Sequence, residues 1–197
     1  MATTNEPAAS LPRMGTEAFS PARRSDPVTS QEVPGGVVHT LPVDLREALT
    51  ANTRVCAERN VALFFGHATH SEIYQLAEEV EKVGLKRAVI DHPFSPFLSV
   101  SPEMMKELSK VGIFFNFTWD ELSPLLGVDP QIMYNTIREV GPEHFTLSSD
   151  AGEPLFPDSV EAMRLVRGYM EAFGLDQDEL YTVCTKNPAK VVGLALG

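Results

Sequence analysis

Beyond residue 36 the chain alternates between two patterns of apolar residues. Four short and nearly unbroken apolar runs stand out: VALFFG (61–66), RAVID (87–91), GIFFNF (112–117) and FTLSSD (145–150). Their β-branched and aromatic content suits strands buried on both faces, as in a parallel sheet. Between them the apolar residues recur at helical spacing. In SEIYQLAEEVEKVG (71–84), Ile73, Leu76, Ala77 and Val80 share one face. Thr69, with Glu72 three residues on, predicts a capping box at its start. Ser101 and Pro102 open a helix over 101–112 that stops near Gly112. Asp158 and Gly174 bracket another over 158–174. Asn187 and Pro188, read as cap and first-turn proline, open a last one over 187–197. A long helix is expected at 43–59, and two more near 119–126 and 130–140.

The runs recur every 25 to 33 residues with a helix between each pair. That is a βαβ arrangement with right-handed crossovers, either a doubly wound sheet or a (β/α) barrel. No Gly-rich phosphate loop follows the first run, so a nucleotide-binding fold lacks its main signature. Residues 1–36 differ in kind. They hold five of the fifteen prolines and no periodic apolar pattern. Such a segment buries too little to offset its chain entropy, so 1–36 is expected to be a disordered tail and 37–197 the domain.

Composition narrows the function classes. The 197 residues are 43% hydrophobic, enough for a real core, and carry a net charge of −11. That charge argues against nucleic acid and anionic membranes as partners. The longest apolar run, Val61 to Phe65, is far short of a membrane span. Cys56 and Cys184 show no CxxC spacing and read as buried thiols of a reducing, cytoplasmic compartment.

The chemistry gathers where the runs end. The first closes on GHATH, with His67 and His70; the second on Asp91 and His92; the third presents Asn116; the fourth Asp150. In a parallel sheet or barrel these carboxyl ends share one mouth, where ligands bind. Two imidazoles and a carboxylate there suit a divalent metal, zinc first and manganese or iron as alternatives. Asp150 could otherwise cap its turn with Gly152. Asp91 either orients His92 or faces away. His70, in a first helical turn, is expected neutral and exposed, and with Asn116 is a candidate for substrate contact. His144 starts its strand and so belongs to the opposite, structural end, and His39 lies near the tail. Trp119 and the phenylalanines at 114, 115 and 117 read as core or pocket wall, and Leu155–Ser159 as a loop over the mouth.

The order of GH after one strand, HP after the next, SSD after the last and then NPAKVVGL resembles the C-terminal half of the amidohydrolase superfamily. The resemblance spans about residues 43–197. It implies an α/β fold: a partial (β/α) TIM-like barrel of about four parallel strands, strands five to eight, with flanking helices. It implies His67, His92 and Asp150 as metal ligands and Asp150 as the proton shuttle. The implied reaction is hydrolysis, a metal-activated water attacking an amide, ester or lactone carbon of a small molecule. The superfamily usually opens on a His-x-His pair, and this sequence contains none. A truncated remnant, or a non-catalytic protein with an amidohydrolase-like core, is therefore the alternative. A half-barrel would also leave sheet edges open, so a homo-oligomer is expected.

Overall fold

The computed structural model describes residues 43–196. The disordered tail expected at 1–36, and His39, lie outside the described residues. The element order is α1 (Val43–Arg59), β1 (Leu63–Phe65), α2 (His70–Val83), β2 (Ala88–Asp91), α3 (Pro102–Lys110), β3 (Ile113–Thr118), α4 (Trp119–Leu122) and α5 (Pro130–Val140). β4 (Phe145–Ser148), α6 (Ser159–Phe173), α7 (Gln177–Tyr181) and α8 (Asn187–Val192) follow. The four strands form one parallel sheet in the order β1-β2-β3-β4. Consecutive order means that each right-handed crossover lays its helix on the same side. The fold is α/β and singly wound, an arc of a barrel.

The two faces of the arc differ in chemistry. On the helix side, Ala88, Ile90, Ile113, Phe115, Phe117, Phe145 and Leu147 join Ile73 and Val80 of α2, Met105 and Leu108 of α3, Met133 and Ile137 of α5 and Val166 and Met170 of α6 in one core. The caps read from the sequence hold these helices. Thr69 and Glu72 form a reciprocal capping box, Ser101 accepts from the Met104 N–H, and Asp158 accepts from the N–H groups of Val160 and Glu161. On the other side a smaller cluster of Val89, Phe114 and Val191 closes the foot of the sheet, with the Lys190 ammonium 5.0 Å from the centre of the Phe114 ring.

The C-terminal helix departs from expectation. Asn187 is not a cap: its backbone is helical, with φ −67° and ψ −46°. The chain runs from α7 through a π turn, Thr182–Lys186, directly into α8. Pro188 has no N–H to donate and crowds the carbonyl one turn back, and a widened turn accommodates it. Among the described residues no helix is long and apolar enough to cross a membrane, and Cys56 and Cys184 are unpaired and partly buried.

Candidate active site

β1, β2 and β4 each hand over to their loops through a residue in the left-handed backbone region: His67 at φ 57°, His92 at 36° and Asp150 at 48°. A side chain there costs roughly 1–2 kcal/mol. Among the other described non-glycine residues only Asn60 and Ser99 share it. Backbone strain of this kind gathers at functional sites, and here it falls on the three residues that the strand ends single out in the sequence.

The structure brings two of the three together. The His67 and His92 rings meet edge to face with centroids 4.7 Å apart. Phe97, from the loop between β2 and α3, stacks flat on His67 at 4.7 Å and edge-on to His92 at 5.5 Å. His67 is exposed at the mouth, whereas His92 is only 8% exposed. Glycine at 66 makes the His92 position possible: a Cβ there would lie 2.7 Å from His92 Cε1. The His92 N–H donates to the Asn116 carbonyl (2.9 Å), which prolongs the ladder past the end of β2. His92 Nδ1 is buried and has no hydrogen-bond partner among the described residues.

Beside the imidazoles runs a polar row. Asp91, Asn116 and Thr146 are in register across β2, β3 and β4. Thr146 Oγ1 donates to Asn116 Oδ1 (2.8 Å), and Asn116 Nδ2 donates to Asp91 Oδ1 (2.7 Å) and Ser148 Oγ (2.8 Å). Burial pushes the Asp91 carboxyl above its ordinary range, against the pull of the Asn116 amide and of His92 and His67, while the Asp150 charge adds to the rise. Asp120, just after β3, is raised the same way, by burial first and then by Asp150. Asp91, Asp120 and Asp150 therefore share one field with His92, but Asp150 itself is exposed. Among the described residues no three His, Cys, Asp or Glu side chains stand close enough together to hold a metal ion.

The remaining candidates have partners within the fold. His70 is exposed, with Nε2 2.6 Å from the Leu98 carbonyl, so that nitrogen carries the proton and ties the loop bearing Phe97 to α2. The Asn116 amide is wholly engaged in the row. His144 sits at the foot of β4, 3.7 Å from the Glu143 carboxylate.

Two acids went unread in the sequence. Asp120 has no local signal beyond its place after a strand. Glu121 does have one: Thr118 followed by Glu121 matches a capping box. The pattern does not reveal that Glu121 is fully buried. Its carboxyl accepts the N–H groups of Phe94 (2.6 Å) and Thr118 (2.9 Å), and a third from Ser95. Burial outweighs those donors and pushes its pKa up to about 8. Glu121 thus pins the turn that follows His92.

With this geometry in place, comparison with known proteins adds a family and a fold. The profile of a family of unknown function, DUF6282, matches residues 13–116. The chain belongs to that family. No curated protein matches the chain. Among solved structures, an amidohydrolase from Burkholderia multivorans with bound zinc superposes with a TM-score of 0.57 at 14% identity, over 78% of this chain and 62% of that one. A second crystal form of it, with bound HEPES, gives 0.56 at 13% identity. N-acetyl-D-glucosamine-6-phosphate deacetylase from Mycobacterium smegmatis gives 0.53 at 22% identity, over 74% of this chain and 42% of that one. This DUF6282 chain thus has the fold of part of an amidohydrolase and spans under two thirds of the length of these structures.

Proposed function

We propose that the mouth formed by β1, β2 and β4 is a hydrolase site of the amidohydrolase type, which takes a divalent metal, zinc first, and a small-molecule amide, ester or lactone. The observation that carries this reading is the paired imidazoles of His67 and His92, delivered by adjacent strands from left-handed backbone positions. The fold shared with amidohydrolases, one of them with bound zinc, supports it.

The donor set suits such a metal in kind. Two imidazoles and a carboxylate are zinc chemistry, and His92 Nδ1 is a buried nitrogen with no other partner among the described residues. His67 and His92 would hold such a metal, and among the described residues no third His, Cys, Asp or Glu stands within reach of the same point. When bound, the metal would acidify a water and polarise the substrate carbonyl. The chain's own groups do the rest. Phe97 stacks on one face of His67. The exposed Asp150 can accept a proton on its carboxylate oxygens and return it to a leaving group.

The alternative is a non-catalytic protein with an amidohydrolase-like core, favoured by the lack of a His-x-His pair. Metal analysis and zinc titration of the purified chain separate the two. The expected result is one zinc per chain. His67→Ala and His92→Ala should each weaken binding by more than the 10–100-fold that outer-shell changes cause. A wild-type chain that takes up no zinc, manganese or iron would establish the non-catalytic reading instead.

A further inference from the structure

We propose that Glu121 is the positioning residue of the candidate site: from the corner after β3, its carboxyl sets the turn that carries Phe97 and so seats that ring on His67. The proposal concerns how the imidazole pair is held, and it stands or falls apart from the metal-dependent reading above.

A glutamate three residues into a helix ordinarily closes a capping box, and Glu121 does accept the Thr118 N–H (2.9 Å). Capping accounts for that bond and not for the other two. The N–H groups of Phe94 (2.6 Å) and Ser95 reach the same carboxyl from the loop between β2 and α3. The sequence there is His92-Pro93-Phe94-Ser95-Pro96-Phe97-Leu98, and it folds as two turns that share Ser95. The Ser95 N–H closes the first on the His92 carbonyl (3.1 Å), and the Leu98 N–H closes the second on the Ser95 carbonyl (2.8 Å). Each has proline second, where its fixed φ suits the turn, and phenylalanine third. The first phenylalanine, Phe94, packs on Phe117 of the core at 4.7 Å. The second, Phe97, lies 4.7 Å from His67 with the ring planes 4° apart, and edge-on to His92. The Ser95 peptide is therefore the hinge between the core ring and the site ring, and Glu121 holds it. His70 ties the loop further on, at the Leu98 carbonyl (2.6 Å), past the point where Phe97 leaves the backbone. The residue type matters as well. Two carboxyl oxygens offer about four acceptor sites, whereas glutamine offers one oxygen and adds donors of its own. Glu121 and Ser95 are fully buried, where an N–H that loses its acceptor is costly.

Proton NMR and amide exchange on the full chain test this, with no metal or substrate present. In wild type the Phe94 and Ser95 amides should be protected although they lie in a loop. Phe97→Ala gives the His67 ring signals with the stack removed. Glu121→Met keeps the length and removes every acceptor. While folded, it should carry the His67 ring signals at least about half of the way to their Phe97→Ala positions, since the stacked ring is what shifts them. Glu121→Gln should fall between, and its Phe94 and Ser95 amides should exchange about 5- to 150-fold faster, the equivalent of one buried hydrogen bond. Asn187→Ala, which loosens the chain at the foot of β4 instead, should leave the His67 signals unmoved. That control separates positioning from a general loss of stability. If Glu121→Met does not fold, Glu121→Gln decides; if neither folds, the protection of the two wild-type amides decides. Wild-type His67 signals in a folded Glu121 variant, an equal movement in Asn187→Ala, or unprotected Phe94 and Ser95 amides in wild type would each overturn the proposal.

Discussion

His92 sits where it does because the residue across from it has no side chain. Glycine at 66 lets the ring lie against the end of β1, and the ring is too buried to swing aside. Gly66→Ala should therefore push the ring from its seat. The expected cost is ~1–3 kcal/mol in urea unfolding, the usual range for an overpacked contact, together with shifted His92 ring resonances. Unchanged stability with unchanged resonances would show that the ring is not wedged. The same scale separates His67 from His70, three residues apart in sequence. One imidazole joins the paired rings and the other braces a loop carbonyl. The capping box at Thr69 already sets His70 in the first turn of α2, but what each ring meets lies in what the next loop brings opposite.

At the scale of elements, the run Asn187-Pro188-Ala189 shows a familiar pattern used differently. Asparagine before proline reads as a helix start, yet the helix is already under way. The Asn187 side chain reaches instead to the start of β4, where Nδ2 donates to the carbonyls of Pro142 (2.8 Å) and Phe145 (2.6 Å). It fastens α8 to the strand that leads to Asp150. Asn187→Ala would leave those carbonyls short of a donor at a buried site. It should cost ~2–4 kcal/mol, seen as a lower midpoint in denaturant with an unchanged slope. A loss within experimental error would mean that water replaces the amide without penalty.

For the molecule as a whole, the consequential group is Glu121. Its carboxyl titrates at about 8 in the folded chain, against an ordinary 4.5. A folded-state value above the unfolded one means that the native state holds the proton more tightly. The stabilisation is complete below the unfolded value and is lost as pH rises through about 8. Between roughly pH 5 and 8.5, unfolding free energy should therefore fall with pH, by at most ~1.4 kcal/mol per unit from this group. Glu121→Gln cannot ionise, and so its stability should show a shallower slope over the same range. Equal slopes in wild type and variant would show that Glu121 is charged throughout and held by its three N–H donors.

Much of this was legible in the sequence for a simple reason. Strands, helices and caps are short-range: Thr69, Ser101 and Asp158 announce their helices within three residues, and the four apolar runs announce their strands. The placing of His67, His92 and Asp150 at strand ends followed from the same local pattern, and the left-handed backbone at all three agrees with it. Tertiary structure decided what local pattern cannot carry. Asp91, Asn116 and Thr146 are separated by 25 and 30 residues in sequence, and only strand register sets them side by side. Register also placed His67 beside His92 and left Asp150 exposed, and packing buried Glu121 under the turn that follows His92. The amino-acid order specifies which groups reach the rim of the sheet. Which of them face one another depends on pairing through space, to which no single segment contributes a signal.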